Sequence, residues 1–531
     1  MRTMLSVLAL LLPLRAEDLV AAIARFDPAA APKGKAERDL EADALRRAEA
    51  RYGPHAKDHL PQLIAEVTMN WRRAQLAERC AANVAGVESA GAPDHGTATQ
   101  FLCEVFVACD ARSAALEKQR DELAQQIAKQ GGAGDGKGPL SVERQMLREY
   151  ADHLVSLRTS CLTLLSGKQA EDSIRYLLAT ALPRAPSPLL RVNVARILAP
   201  RPKVTVGAYL ALAAKEPDEG VRAGIATALG MMGERAAEEV PRIAGLLADP
   251  SDRVRVAVAR ALSVIRTPEA VEPLVMAIAK ESGAPLYEFA RALEWLTGER
   301  HGIHADVWAR WWEEHKGKIL NEGLPPIGGP KAGGNAERWK AEGGFYYGIP
   351  QISQKVLYIV DISDSMRHEV EGKTRLERCQ EEIARAITAL PRSATFGILA
   401  FSAEVRPWRT EMSKATDANK EVAKEWIAEL RLGSSTNIHD ALRDAFQMAG
   451  TGATKKGSKA LIDTIYLLSD GAPTRADATL DDANLILAAV REWNSLGRIT
   501  IHCIGIGEGL KFSFLEQLAQ EHQGTFVQKS W

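Results

Sequence analysis

The sequence predicts a multidomain chain: an α-helical solenoid followed by an α/β domain built on a doubly wound parallel sheet. Three observations predict it. The segments Ala195-Arg196-Ile197-Leu198, Ala226-Thr227-Ala228-Leu229, Ala259-Arg260-Ala261-Leu262 and Ala290-Arg291-Ala292-Leu293 recur at spacings of 31, 33 and 31 residues. After Lys355, continuous apolar runs alternate with amphipathic helical patterns. Between the two regions, Pro325-Pro326, Gly328-Gly329, Gly333-Gly334 and Gly343-Gly344 interrupt all periodicity.

Length and composition bound what such a chain does. It has 531 residues, enough for several domains, with 67 Lys+Arg against 68 Asp+Glu and a formal charge of −1. At 46% apolar and 25% charged residues it is neither mainly disordered, collagen-like nor a polytopic membrane protein. No basic excess over the whole chain points to nucleic acid. Aromatic residues are only 6%, while Ala is abundant, which favours helix because Ala loses no side-chain entropy there.

The N-terminus carries Arg2, an apolar run from Met4 to Leu14, and Ala16 before Glu17 and Asp18. This predicts an export signal over residues 1–16, too short to span a bilayer. Leu14 and Arg15 depart from the usual cleavage context, and the alternative is a helix packed on the body. No other segment reads as transmembrane. Residues 17–169 read as helices with polar breaks. The stretch 111–129, with Leu116, Leu123 and Ile127 among charges, reads as a short coiled coil or one arm of a helical hairpin. The run Gly131 to Gly138 nearly spells a phosphate-binding loop. It lacks the hydroxyl that would hold Mg²⁺ and follows a polar helix instead of a strand, so it reads as a plain loop. Export would permit disulfides among Cys80, Cys103, Cys109 and Cys161, whereas Cys379 and Cys503 read as buried thiols.

Each repeat is a helix pair that cannot bury its apolar face alone, so neighbours must stack. Arg191, Arg222 and Arg255 stand four residues before the first three Ala-Leu segments, with Asp218, Glu219 and Asp252 shortly before the second and third. The pattern Asp…Val-Arg…Ala…Ala-Leu resembles HEAT and HEAT-like repeats. These repeats are placed at 170–318. Trp308, Trp311 and Trp312 share one face of a closing helix and read as a terminal cap. His301 and His304 lack a third ligand and do not read as a metal site. Residues 319–354 form the Gly/Pro-rich linker, where Trp339, Phe345, Tyr346 and Tyr347 are expected to anchor it to a surface.

The α/β domain is placed at 355–531. Val356–Asp361, Thr395–Phe401, Thr464–Leu468 and Ile499–Ile506 read as strands buried on both faces. Helices are predicted over Arg375–Leu390, Asp417–Leu430, Ile438–Met448, Leu480–Leu496 and Phe514–His522. In open parallel sheets ligands bind beyond the strand C-termini, and oxygen donors collect there: Asp361-Ile362-Ser363-Asp364-Ser365, Ser435-Thr436-Asn437 and Ser469-Asp470-Gly471. Two carboxylates and three hydroxyls are hard ligands that suit Mg²⁺. With so few protein charges, the ion would stay electrophilic enough to take a partner's carboxylate.

The constellation D-x-S-x-S…T…D-G, carried by "VDISDSM", "STNIHDAL" and "LLSDG", resembles the metal-ion-dependent adhesion site of von Willebrand factor A (VWA) domains, a Rossmann-like α/β fold. The resemblance implies that Ser363 and Ser365 bind the ion directly. It implies that Asp361, Thr436 and Asp470 bind directly or through water. Mg²⁺ is the expected ion, with Mn²⁺ or Ca²⁺ as substitutes. Asn437, Ser469 and Gly471 would lie around the ligands. The family commonly has Gly where this chain has Asp364, an added carboxylate that would repel a ligand, hold a water or point to solvent.

These residues predict an exported interaction or assembly scaffold, periplasmic, cell-surface or extracellular, that captures an acidic residue of a protein partner. One alternative is a metal-dependent hydrolase. Aspartyl phosphatases carry a second Asp where this chain has Ser363, which cannot act as a general acid near neutral pH. Another is a structural component whose metal only stabilises loops. The expectation is that the chain is not an enzyme. The sequence leaves the oligomeric state open.

Overall fold

A computed structural model describes residues 35–52, 95–129, 139–168, 170–326, 344–449, 462–470, 472–474, 483–494, 499–507 and 513–529. The export signal, Cys80, the Gly131–Gly138 run, Trp339 and Gly471 lie outside the described residues. Among the described residues no helix is long and apolar enough to cross a membrane.

The chain divides into two compact units, Met1–Tyr176 and Leu177–Trp531. In the first, helix α1 spans Lys35–Tyr52, α2 His95–Lys129, α3 Pro139–Gly167 and α4 Glu171–Tyr176. Helices α2 and α3 pack along each other, burying Phe106, Leu116, Leu123, Tyr150, Leu154 and Leu165. The 111–129 stretch is therefore one arm of a helical hairpin. Arg158 crosses the seam to Asp110 at 3.2 Å. Cys103, Cys109 and Cys161 are buried thiols, and none of these three is in a disulfide. Burial pushes the Cys103 and Cys161 thiols up to about 12.

The second unit opens with the repeats. Helix α5 is Pro188–Leu198, α6 Val206–Ala213, α7 Glu219–Met231, α8 Val240–Ala244, α9 Asp252–Ile265, α10 Val271–Ile278, α11 Ala284–Thr297 and α12 Ala305–Glu322. The Ala-Leu segments lie in α5, α7, α9 and α11, which stack in sequence. A Cβ at Gly230 would meet the Ala261 backbone at 2.9 Å, which shows how closely α7 and α9 approach. The repeated arginines acquire physical partners here. Arg191 pairs with Glu216, Arg222 grips Asp249 at 2.8 and 2.9 Å, and Arg255 grips Glu281 at 2.6 and 2.9 Å. Each arginine thus closes its own repeat. Trp308 and Trp312 are fully buried at the end of the stack, and the Trp308 indole N–H donates to Gly302 O at 2.8 Å.

The α/β part begins with a small hairpin, β1 Phe345–Tyr346 and β2 Ile349–Pro350. Strand β3 is Lys355–Asp361, β4 Glu369–Val370, β5 Lys373–Thr374, and helix α13 Arg375–Ala389. Then come β6 Thr395–Phe401, β7 Val405–Pro407, β8 Ser413–Lys414, α14 Asp417–Ala428, α15 Ile438–Met448, β9 Thr464–Ser469, α16 Ala483–Trp493, β10 Thr500–Ile506, α17 Ser513–Glu521 and β11 Gln523–Lys529. The sheet order is β11-β10-β9-β3-β6-β7, parallel from β11 to β6, with β7 and β8 antiparallel to β6. Helices α13 and α14 cover one face, and α15, α16 and α17 the other. Strand order reverses between β3 and β9, which makes their C-terminal ends the switch point where such sheets bind ligands.

Tyr346 corrects the expectation that the linker aromatics are surface anchors. It is fully buried, with its ring edge-on to Tyr358 and Tyr466 at 5.3 and 5.4 Å. Among the described linker aromatics, Tyr347 is buried as well and only Phe345 stays exposed. The hairpin thus belongs to the sheet's own core.

Two histidines are buried in this domain. His502 stacks on Tyr466, accepts the Thr525 N–H at Nδ1, and faces Arg291 and Glu288 of α11. His522 meets Asn494 and lies near Glu521 and Arg491. Burial, aided by the nearby arginines, pushes both down to about 4. Both are neutral in the fold and prefer to protonate in the unfolded chain. Their stabilisation is therefore complete above about pH 6.5 and is lost as pH falls toward 4. Each contributes on the order of 3 kcal/mol. The double variant His502→Gln/His522→Gln should lose less denaturant resistance than the unmodified chain between pH 7 and about pH 4.5. An equal loss in both would show that these rings do not drive the acid response.

Candidate functional site

The three oxygen-rich loops meet at the C-terminal ends of β3, β6 and β9. Parallel pairing of β3 with β9 sets Asp361 beside Ser469 and Asp470, over a hundred positions later in the chain. Asp361 is fully buried. Its Oδ1 accepts the Ser363 N–H at 2.8 Å and its Oδ2 the Ser469 hydroxyl at 2.6 Å. Ser363 Oγ and Ser365 Oγ lie 3.0 Å apart, and Ser365 donates to Asp470 Oδ1 at 2.6 Å. Asp361, Ser363, Ser365, Ser469 and Asp470 therefore form one connected chain. Burial, and then the charge of Asp470, push the Asp361 carboxyl up to about 7.

The third loop is fastened to the other two. Gly433 N–H donates to Ile362 O at 2.6 Å, and a Cβ at Gly433 would collide with the Ser402 side chain. Asn437 N–H donates to Ser402 O at 3.0 Å, while the Asn437 side chain caps α15. Thr436 is held through its backbone: its N–H donates to Thr474 Oγ1 at 2.7 Å and its carbonyl accepts the Thr474 N–H at 2.9 Å. Thr436 and Asn437 are buried, and the Ser435 hydroxyl is buried with no hydrogen-bond partner among the described residues.

Asp364 stands apart from this group. It is exposed and pairs with Arg367. In the short helical turn Asp364–Arg367 that pair faces outward, while Ser363 and Ser365 on either side of Asp364 belong to the chain of oxygens.

Two contributors escaped the sequence reading. Thr474 was hidden because its role depends on backbone pairing to a loop 38 residues away. Arg375 opens α13, yet its Nη1 lies 2.8 Å from Asp470 Oδ2, and both side chains are largely shielded. Nothing in its own helix signals that contact.

Among the described residues no group of three or more His, Cys, Asp and Glu gathers as a metal cluster. A cation here would draw instead on two carboxylates and neighbouring hydroxyls. That donor set is hard and oxygen-only, and Asp361, raised first by its burial and then by the charge of Asp470, is a carboxylate whose ionised form a divalent ion would stabilise. The residues fit such an ion.

The fold and site define an open α/β domain with its ligand edge at a topological switch point. Residues 354–527 match the family profile described as von Willebrand factor type A domain, and residues 206–294 match HEAT repeats. The chain thus contains a VWA domain preceded by HEAT repeats. It is 28% identical over 178 residues to mouse (Mus musculus) inter alpha-trypsin inhibitor, heavy chain 4, covering 33% of this chain and 18% of the relative. The human (Homo sapiens) inter-alpha-trypsin inhibitor heavy chain H4 gives the same identity and coverage. The chain thus spans less than a fifth of the length of these relatives. Among solved structures, the von Willebrand factor type A protein from Catenulispora acidiphila is 24% identical with a TM-score of 0.28, covering 33% of this chain and 38% of that one.

Proposed function

We propose that this chain is an exported interaction or assembly scaffold whose VWA domain binds Mg²⁺ and captures an acidic side chain of a protein partner. The supporting observation is the oxygen chain Asp361–Ser363–Ser365–Asp470 at the C-terminal edge of β3 and β9. In this reading Asp361, Ser363, Ser365, Thr436 and Asp470 hold the ion, and Mn²⁺ or Ca²⁺ can replace it. A bound ion supplies the electrostatic attraction for a partner's carboxylate, which the carboxylates of Asp361 and Asp470 would by themselves repel. Ser365, the exposed member of the set, lies on the side from which a partner approaches. Thr436 is presented by a loop pinned to three strand ends. The HEAT repeats offer a second, extended interaction surface. Export rests on the segment 1–16, and the VWA domain takes in the hairpin from about residue 344 onward.

The test is capture by the immobilised full chain in Mg²⁺, in EDTA, and after Mg²⁺ is restored. Partner recovery should vanish in EDTA and return with the ion. Capture that persists unchanged in EDTA would remove this function. A lower melting temperature in chelator with unchanged recovery would assign the ion a purely stabilising role. Phosphoester turnover that is lost with Asp361 would favour a hydrolase.

A further inference from the structure

Arg375 breaks a local rule. It is the first residue of α13, where the helix dipole and unpaired N–H groups disfavour a positive charge. The helix start is otherwise well made. Thr374 Oγ1 accepts the Glu377 N–H at 3.1 Å, and Glu377 Oε2 accepts the Thr374 N–H at 2.7 Å, a reciprocal capping box. The β4–β5 hairpin turns through Glu371 and Gly372, both at positive φ (51° and 77°), as a tight two-residue hairpin turn requires. Arg375 N–H then donates to His368 O at 2.9 Å. Hairpin and cap together fix where the Arg375 side chain leaves the helix. It runs inward to Asp470, whose side chain is fully shielded. A charge placed against the dipole and buried on a carboxylate is a functional arrangement more than a stabilising one.

We propose that Arg375 is a resident counter-cation of this site, neutralising Asp470 when no metal is bound and setting how tightly a divalent ion is held. The proposal rests on the reading that the site takes such an ion. Without the ion, Arg375 offsets the repulsion between the two carboxylates, so the loops stay assembled. With the ion, a positive charge sits one carboxylate away from a dication and repels it. The protein thus gains a preformed site and gives up affinity. A weakened ion leaves more of its charge for a partner's carboxylate, which would make ion and partner bind together more tightly than either alone.

Calorimetric Mg²⁺ titration of the full chain tests this in four forms: unmodified, Arg375→Gln, Arg375→Lys and Asp361→Asn. Arg375→Gln should bind Mg²⁺ about tenfold more tightly or better, because it removes a unit positive charge paired to a carboxylate the dication would share. The same variant should melt at lower temperature than the unmodified chain in EDTA. Arg375→Lys, which keeps the charge, should stay near the unmodified affinity. Independently of any substitution, the guanidinium ¹⁵N resonances of Arg375 should shift as Mg²⁺ is added. Unchanged or weaker Mg²⁺ binding by Arg375→Gln overturns the proposal, as does an Arg375 signal that ignores a titration the rest of the site responds to. In either case Mg²⁺ binding that is lost in Asp361→Asn leaves the metal reading standing. If no form binds Mg²⁺ at millimolar concentration, the metal reading fails and this proposal with it.

Discussion

Replacing Asp361 by Asn should weaken Mg²⁺ binding by about a hundredfold or more while leaving the metal-free chain at least as stable as before. The two effects have opposite signs for one reason. Asp361 is fully buried and beside Asp470, so its folded-state pKa is raised to about 7. An acid with a raised folded pKa stabilises the fold only while protonated, and that stabilisation is lost as pH rises from about 4 through 7. Above that range the ionised carboxylate burdens the metal-free fold and can be relieved by a cation. The amide has nearly the same shape, still accepts the Ser363 N–H, and needs no relief. Melting temperature with and without Mg²⁺ at about pH 8 separates the terms. The unmodified chain should gain stability with Mg²⁺, and the variant should show a flat response from an equal or higher starting point. An Asp361→Asn chain that retains the full Mg²⁺ response would remove Asp361 from the ligand set. A variant much less stable in EDTA would make its role structural.

The second large effect concerns Tyr346. Tyr346→Ala should cost about 3–5 kcal/mol, because it empties a fully enclosed ring position that β1 fills between Tyr358 and Tyr466. Tyr346→Phe should behave in the opposite way. The Tyr346 hydroxyl is buried with no hydrogen-bond partner among the described residues, so deleting it removes a desolvation cost on the order of 1 kcal/mol. The denaturant midpoint of the VWA domain's transition, followed by its near-ultraviolet signal, checks both. A loss below about 1 kcal/mol in Tyr346→Ala would mean that the hairpin is peripheral to the core.

The pair also explains what the sequence made visible. Strands β3, β6, β9 and β10 are buried on both faces, so they appear as uninterrupted apolar runs, and the helices between them show their period. Two of the oxygen-rich loops were legible because each follows such a run, and the third, Ser435-Thr436-Asn437, because it directly precedes the period of α15. Strand β11 was missed because QGTFVQK is half-exposed along its length, and Gly524 sits where the pairing with β10 shifts register. The β1–β2 hairpin was hidden among glycines and prolines that favour a loop reading. Long-range polar pairing leaves no periodic trace. Arg222 and Arg255 stood out by spacing, yet Asp249 and Glu281, which complete them, did not. Arg375 pairs with a residue 95 positions away and looked like an ordinary first-turn side chain.

The central place of β3 has a mechanical consequence. In the proposed reading, a partner held through an ion at the end of β3 and pulled away along the strand loads β3 along its axis. That strand is hydrogen-bonded along its length to β6 on one side and to β9 on the other, all running the same way. Tension must therefore shear two ladders at once, with their bonds strained together and not opened one by one. An edge strand such as β11, pulled the same way, would have one ladder to shear instead of two. The end of β3 is thus anchored by two ladders at once, so a load applied there is shared across the middle of the sheet.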